Sequence, residues 1–584
     1  MTTNTKNNAG VVLAECLKIN GIGTVFGVPG ESYLPFIDGM MRQNIHFVVC
    51  RNEGGASFMA EAVGKLTGKP GVCVVSRAPG ATNASIGIHT AMQDSTPMIL
   101  LIGQIERGDK DKEAFQEVDL EAFFKPLAKW SATVNSAQRL PEYFARAYQC
   151  AVTGRPGPVV LVLPEDILAE AVSAGPIKHI PVNPGVPVFD EKTIKRIRSA
   201  EKPILLVGGP GWKDGGLKTL GEWTAAQEIP VAANWRHQDY FENSAKNYAG
   251  HMGLGINPEL TALVADSDLI LSFGGRLDEI TTQTFGLVSP EQAEEKLICF
   301  SVPDVNLNPM YNCPKIQGDL NLIVRAMADS EDFKASKAVL EKRKLRTEKA
   351  NLSYRKHSEP DPKDDISGIV ATVSKKLSPD AIITNGAGNF AAWLHRYYRY
   401  GKPHTQLAPR SGSMGYSIPS AVAAKIMNPD VQVVAFAGDG EILMNGQEVA
   451  TAAMNGIGFL IMLFNNSQYG TIRMHQNMKY PGESFGTGLK NPDFVKWIES
   501  FGGKGFRVKD ADGFEKIFGE ALESSRKIVT LVEITQNPDA SPRVKASDSL
   551  YFARGILIEK VLPSPGVLST VILPECASMI ALTR

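Results

Sequence analysis

Two polar stretches stand at the ends of apolar runs, where side chains can do ligand chemistry. Residues 432–437 (QVVAFA) run into Gly438-Asp439-Gly440, and residues 459–464 (FLIMLF) run into Asn465-Asn466-Ser467-Gln468. A helical segment is expected between them, over residues 441–455. Neighbouring strands of a parallel sheet bring their C-terminal ends to one edge, and open α/β sheets bind ligands there. Asp439 and Asn466 are therefore expected to meet. A carboxylate and an amide oxygen suit a hard divalent cation such as Mg²⁺, which needs few protein ligands when phosphates and water fill the rest. Gly438 and Gly440 let backbone N–H groups approach an anion, and the helix N-terminus adds favourable partial charge. G-D-G alone is a common turn. Its pairing with N-N, each after a buried strand, points to a metal-held diphosphate.

A carboxylate stands in a comparable place near the start of the chain. Glu53, in residues 48–56 (VVCRNEGGA), lies just past an apolar run and opens a helical pattern. Taken alone, Glu at a helix start is simply favoured by the helix dipole.

These residues need a scaffold. Between residues 10 and 174, the runs 24–28 (TVFGV), 46–50 (HFVVC), 72–76 (VCVVS), 98–102 (MILLI) and 159–163 (VVLVL) read as buried strands, and 55–66 as a helix. Strands alternating with helices imply a parallel sheet covered on both faces. The proline-rich stretch 175–187 (GPIKHIPVNPGVP) marks a linker. Residues 188–345 alternate again, with strands at 203–208, 229–233, 269–273 and 297–300. A charged helical segment around 334–355 leads to a polar break at 357–365. Strands at 381–384, 432–437, 459–464 and 529–534 follow. The expected fold class is α/β, with three doubly wound parallel-sheet domains at 10–174 (pyrimidine-binding, by the resemblance below), 188–345 (central) and 366–540 (diphosphate- and Mg-binding). The tail, 541–584, has no functional reading.

The 584 residues hold 61 Lys and Arg against 62 Asp and Glu, a formal charge of −1. No global basic field exists to hold a polyanion, so no nucleic-acid partner is expected. A hydrophobic content of 43% and a charged content of 21% are those of an ordinary globular chain and exclude disorder as the main state. No apolar run reaches the ~18–20 residues of a membrane span. The first ten residues (MTTNTKNNAG) lack the apolar core of a secretory signal, and the seven cysteines form no C-x-x-C pair. A cytoplasmic location, without disulfides or a zinc site, is expected.

The G-D-G, helix, N-N arrangement resembles the thiamine diphosphate enzymes. The resemblance implies that Asp439, Asn466 and the main-chain carbonyl of Gln468 hold Mg²⁺ on the diphosphate, with Gly438, Gly440, Glu441, Gly470 and Thr471 around it. Glu441 stands where the family often has Ser. Residues 48–56 resemble the family's R-H-E-x-x-A-A pattern, with Glu53 at its catalytic position and Asn52 replacing the usual His. In the family that carboxylate holds an aminopyrimidine nitrogen, so that the exocyclic amine can act as a base. Residues 76–83 (SRAPGATN) resemble the S-G-P-G-A-T-N loop that packs on the pyrimidine. Pro79 and Asn83, with Pro29 from residues 26–34 (FGVPGESYL), are thereby assigned to the cofactor; Ala78 stands where Gly is usual. Ala387-Gly388-Asn389 matches a segment that touches the pyrimidine and diphosphate. Residues 408–419 (APRSGSMGYSIP) resemble G-x-M-G-x-x-(I/L)-P, which assigns Gly412 and makes Met414 the side chain that bends the cofactor. In the family the first-block Glu of one subunit serves the cofactor of another, which implies a homodimer or homotetramer with shared sites.

Residues 153–158 (TGRPGP), 94–97 (DSTP) and 114–117 (AFQE) are closest to the acetolactate synthase large subunit group. That resemblance implies decarboxylation of a 2-oxo acid and transfer of the fragment to a second carbonyl, with Gln116 facing the reacting carbon. Departures from the group keep alternatives open. Glu31 replaces a Gly of the synthases and matches the acid of simple 2-oxo acid decarboxylases. An acid there would protonate the carbanion after CO₂ loss, repel an anionic acceptor or hydrogen-bond a hydroxylated one. Glu31 thus joins Glu53 and Gln116 as a catalytic candidate. His475 stands at a usual Trp and Glu165 at a usual Lys. The alternatives are a non-ligating 2-oxo acid decarboxylase and a C–C bond hydrolase of a diketone. In the middle block, Gly208-Gly209-Pro210-Gly211 and Gly274-Gly275-Arg276-Leu277-Asp278 resemble parts of a structural FAD site. Ile280 stands for a common Arg, and Ser301 takes an acidic position, so FAD, an ADP-like nucleotide and an empty site remain as alternatives.

Overall fold

The computed structural model describes residues 8–182, 185–305, 307–482 and 484–537. Three six-stranded parallel sheets carry the chain. The first holds β1 (Thr24–Gly27), β2 (His46–Val49), β3 (Gly71–Ser76), β4 (Met98–Gln104), β5 (Trp130–Thr133) and β6 (Pro158–Pro164), in the order β2-β1-β3-β4-β6-β5. The second holds β7 (Pro203–Val207), β8 (Val231–Asn234), β9 (Tyr248–Met252), β10 (Leu269–Phe273), β11 (Leu297–Ser301) and β12 (Lys315–Gln317), in the order β12-β11-β10-β7-β8-β9. The third holds β13 (Ile382–Asn385), β14 (Gln406–Leu407), β15 (Val433–Gly438), β16 (Leu460–Asn465), β17 (Lys504–Val508) and β18 (Thr530–Thr535), in the order β14-β13-β15-β16-β18-β17.

The first and third sheets are wound alike: counted within each, the order is second, first, third, fourth, sixth, fifth. The middle sheet instead reverses between β7 and β10, which is the dinucleotide-binding order. Every residue of β4, β6, β7, β10 and β11 is buried. This is why those strands are continuous apolar runs rather than alternating ones.

The helix Glu53–Thr67, from the first unit, packs on the helix Ser417–Met427, from the third, through one continuous apolar cluster that includes Phe58, Met59, Ala60, Tyr416, Ile418 and Ala421. The Phe58 and Tyr416 rings meet edge-on at 5.2 Å. Burying such a ring contributes roughly 2–3 kcal/mol. A polar seam crosses the same interface. Glu61 is wholly buried and accepts from the Thr96 hydroxyl at 2.8 Å and from the Tyr416 hydroxyl. Lys65 pairs with Asp94 and donates to the Ala408 carbonyl at 2.8 Å, while Asp94 accepts from the Arg410 N–H at 2.7 Å.

The charged helical segment is one helix, Lys337–His357, which runs past the boundary expected at 345. It packs against the middle sheet: Asn351 donates to the Ala245 and Tyr248 carbonyls, and the Tyr354 ring meets Tyr248 at 4.7 Å. The expected helix over 441–455 is broken into Asp439–Asn445, a tight turn at Gly446–Glu448, and Val449–Met454. The tail 541–584 lies outside the described residues.

Candidate active site

Two groups of side chains stand at C-terminal sheet edges. On the first sheet, Glu53 is the first residue of its helix, and Asn52 caps that helix by accepting the Gly54 N–H at 2.8 Å. Glu53 Oε2 accepts from Asn83 Nδ2 at 2.9 Å. A Cβ at Gly80 would lie 3.3 Å from Glu53 Oε1, so the glycine leaves the carboxylate its space. Pro79 opens the same turn, its carbonyl accepting from the Thr82 hydroxyl at 2.9 Å. Pro29 lies in the turn after β1; its neighbour Gly30 approaches Ser76 so closely that a Cβ would meet the serine Cβ at 2.5 Å. Gln116 is half-buried in the loop after β4 and holds a left-handed φ of 65°, uncommon outside glycine. Glu31 is largely exposed and pairs with Arg77 at 3.3 Å.

The second group lies at the ends of β13, β15 and β16. Asp439 opens the helix after Gly438 and is only 4% exposed. It accepts from Asn491 Nδ2 at 2.7 Å, and the same amide nitrogen donates to Asn465 Oδ1 at 3.0 Å, bridging Asp439 to the start of the Asn465–Asn466 turn. The expected meeting of Asp439 with the Asn466 turn is therefore present. Burial pushes the Asp439 carboxyl up, against the hydrogen bond from Asn491. Asn466 Oδ1 accepts the Gln468 N–H at 3.2 Å, and the Gln468 carbonyl accepts the Gly470 N–H at 2.9 Å. A carbonyl keeps a second lone pair for a cation. Gly470 and Thr471 begin the helix Gly470–Lys479, and the Thr471 hydroxyl donates to Asn389 Oδ1 at 2.9 Å. His475 is exposed on that helix. Gly440 lies against the Tyr469 ring, where a Cβ would come within 2.8 Å, and Gly388 lies as close to the Phe390 ring.

Glu441 is 1% exposed and turns beneath this edge. It accepts from the Ala387 N–H at 2.8 Å and from the Ser417 hydroxyl at 2.5 Å, and burial pushes its carboxyl up to about 7. Arg236, from the turn after β8, donates to the Gly386 carbonyl at 2.8 Å and to the Pro409 carbonyl. Gly412 and Met414 lie in the following loop, which is held by Asn445 Nδ2 on the Gly415 carbonyl at 3.1 Å and by Thr90 on Ser413 at 2.9 Å.

Glu448 ties the two edges together. It is wholly buried in the third unit and accepts the N–H groups of Arg51 and Asn52, at 3.1 and 3.0 Å, just before Glu53. The Thr451 hydroxyl donates to it at 2.6 Å. Sequence reasoning missed Glu448, Arg77, Arg236 and Asn491. Arg77 carried a signal, a long cation inside a loop of small residues; the others carried none.

In the middle unit, both glycine loops lie at the switch between β7 and β10. Gly209, at φ 71°, comes so close to Gly274 that a Cβ would stand 1.8 Å from its carbonyl oxygen. The Asn234 amide is wholly buried between Gly208 and Gly275, with no protein partner for its nitrogen or oxygen. The buried hydroxyls of Ser272 and Ser301 and the Trp235 N–H also lack protein partners. A cavity of about 650 Å³ beside them is lined by Arg155, Trp235, Arg276, Asp278, Ile280 and Arg410, among others.

Three family descriptions match the chain: thiamine pyrophosphate enzyme N-terminal TPP binding domain at residues 7–123, central domain at 191–327, and C-terminal TPP binding domain at 386–534. The acetolactate synthase large subunit of Corynebacterium glutamicum is 31% identical over 91% of this chain and 88% of its own length. The probable acetolactate synthase large subunit of Methanocaldococcus jannaschii is 29% identical over 95% and 96%, respectively. The acetolactate synthase isozyme 2 large subunit of Escherichia coli is 28% identical over 91% and 96%. Among the described residues, no helix is long and apolar enough to cross a membrane.

Proposed function

From the premise that this chain belongs to the thiamine diphosphate-dependent enzymes, in the acetolactate synthase large subunit group, we propose that it decarboxylates a 2-oxo acid and ligates the remaining fragment to a second carbonyl. The observation that carries this reading is the buried Asp439, bridged by Asn491 to the Asn465–Asn466 turn at the edge of the third sheet. A carboxylate raised by burial is what a divalent cation relieves, and this supports Mg²⁺ on Asp439, Asn466 and the Gln468 carbonyl. A side chain at 388, 438, 440 or 470 would run into Phe390, Tyr469 or Asn466, so these turns present backbone rather than side chains, and backbone N–H groups at helix starts suit a diphosphate.

When bound, thiamine diphosphate supplies the electron sink for the carbon left after CO₂ departs. In this reading Glu53 keeps a proton on a pyrimidine nitrogen, and Asn83 fixes its other oxygen. Glu448 holds the turn before Glu53 in register. Thr471 and Asn389 lock the helix Gly470–Lys479 to the end of β13, and Glu441 fixes the Gly386–Ala387 turn from below. Gln116 offers a neutral amide that orients a carbonyl without delivering a proton. Met414 stays the side chain proposed to shape the cofactor. A site shared between copies in a homodimer or homotetramer is part of this reading, on the family resemblance of the Glu53 segment. A cytoplasmic setting is part of this reading, on the sparseness of seven cysteines in 584 residues.

The unpartnered amide of Asn234, with the glycine loops around it, fits the phosphates of a dinucleotide and supports FAD in the middle unit. Titration calorimetry of the protein with thiamine diphosphate, with and without Mg²⁺, tests the central reading. Mg²⁺-dependent binding and coenzyme-dependent CO₂ release from a 2-oxo acid panel are expected. Absence of binding with Mg²⁺ present would refute the reading.

A further inference from the structure

Three residues far apart in sequence converge on the first sheet's active edge. Arg77 Nη1 lies 3.3 Å from Glu31 Oε1, and Arg77 Nη2 lies 3.1 Å from Glu165 Oε2. They follow β1, β3 and β6. Arg77 opens the helix Arg77–Asp94 with a left-handed φ of 39°. Gly80, one turn later in that helix, lies against Glu53 Oε1, and Asn83 donates to Glu53. The backbone of Arg77 therefore stands about one helical turn, roughly 5 Å of rise, from that of Gly80 at the Glu53 contact.

We propose that Glu31, Arg77 and Glu165 form a charge filter that selects a carbonyl acceptor lacking a carboxylate, preferably a hydroxylated one. The inference rests on the ligase reading above and names its acceptor class. Both terminal nitrogens of Arg77 are committed to carboxylates, and its Nε is buried, so the guanidinium offers little to an incoming anion. Two carboxylates against one cation leave a surplus negative charge. The Glu31 side chain is 60% exposed, so that charge is open to solvent. The rim continues in the same sense, since Arg107 alone serves both Asp166 and Glu170.

The field treats the two substrates differently. The donor sheds its carboxylate: the bond between its carbonyl and carboxyl carbons breaks, CO₂ leaves, and the electron pair stays on the carbonyl carbon. That carbon then bonds to the acceptor carbonyl carbon, whose oxygen takes up one proton, giving a hydroxyketone. An acceptor carboxylate would persist through the second half of the reaction and be repelled throughout. A hydroxyl would instead donate to Glu31.

The test uses the holoenzyme with thiamine diphosphate and Mg²⁺, the 2-oxo acid that releases CO₂ fastest as donor, and glycolaldehyde or glyoxylate as acceptor. Ligated products are quantified by mass spectrometry. Wild type should favour glycolaldehyde by at least about tenfold in kcat/KM. Glu165→Lys should shift that ratio toward glyoxylate by about tenfold, and Glu31→Gln should shift it in the same direction. Raising salt from about 0.1 to about 1 M, which shortens the screening length from roughly 10 to 3 Å, should raise kcat/KM for glyoxylate severalfold and leave glycolaldehyde unchanged. The salt arm needs no variant, and Glu165→Gln repeats the comparison if Glu165→Lys does not fold. CO₂ release with glyoxylate preferred, or a ratio indifferent to salt and to both substitutions, would overturn the filter alone. No coenzyme-dependent CO₂ release from any 2-oxo acid would overturn the ligase reading and the filter with it.

Discussion

Glu448→Ala should loosen the start of the Glu53 helix without touching any residue assigned to the cofactor. The carboxylate accepts two backbone N–H groups, from Arg51 and Asn52, and the Thr451 hydroxyl, all at a fully buried position. Each donor left unsatisfied costs ~1–3 kcal/mol. Burial pushes the Glu448 carboxyl up, so removing its charge returns part of that cost. A net local loss of about 3 kcal/mol is expected, which corresponds to roughly a hundredfold faster amide exchange. Hydrogen exchange at Arg51 and Asn52 reads this directly and does not require two-state unfolding of a three-unit chain. Turnover should fall as well, because a misplacement of ~1 Å can cost on the order of a hundredfold. Gly55 supplies an internal control. A Cβ there would lie 2.6 Å from Glu448 Oε1, so Gly55→Ala should be destabilising in wild type and nearly neutral beside Glu448→Ala. Protection unchanged within about threefold, or additive effects in the double variant, would refute the clamp.

Other substitutions test separate links. Glu53→Gln should reduce turnover by at least about a thousandfold while calorimetry still finds thiamine diphosphate bound; activity near wild type would reject its role. Asp439→Ala should weaken Mg²⁺-dependent coenzyme binding by more than about tenfold, and unchanged affinity would count against the metal assignment. His251 is buried and its imidazole is pushed down to about 3, mainly by desolvation. The unfolded chain therefore takes up this proton first. The stability His251 allows is complete above pH ~6.5 and is lost as pH falls toward about 3. His251→Gln should flatten the acid limb of a stability–pH curve by up to about 1.4 kcal/mol per pH unit, and an unaltered limb would show that the ring is not buried neutral. Gly209→Ala should destabilise the middle unit by about 3 kcal/mol or more, because the site combines a left-handed φ with a carbonyl contact; a stable variant with native exchange there would contradict that packing.

The interior of each sheet was legible because strands covered on both faces must be apolar along their whole length. All five strands that sequence reading missed, β5, β9, β12, β14 and β17, are edge strands. An edge strand has one neighbour and need not be continuous: β12 reads KIQ with its ends exposed, β17 is mostly half-buried, and β14 is two residues long. The broken helix after Asp439 was also hidden, since the turn at Gly446–Glu448 exists to aim Glu448 at another unit, a long-range purpose that leaves no periodic trace. At the site, Asp439 and the Asn466 turn were legible from strand-end logic alone. Glu31 and Glu165 read as isolated oddities, because only folding shows that Arg77 joins them.

Arg236 bears on any attempt to pare this protein to a minimal enzyme. Its guanidinium leaves the middle unit to satisfy the Gly386 and Pro409 carbonyls, beside the turns that carry Asn389 and Met414. Splicing out the middle third would leave each oxygen with one donor fewer, Asn385 Nδ2 alone on Gly386 and the Gly412 N–H alone on Pro409, and would remove the cation that joins the two turns, although no excised residue is assigned to the chemistry. The two outer units are therefore not a portable pair: a shortened version must supply a substitute cation at that spot, or a redesigned loop, before its activity can be judged.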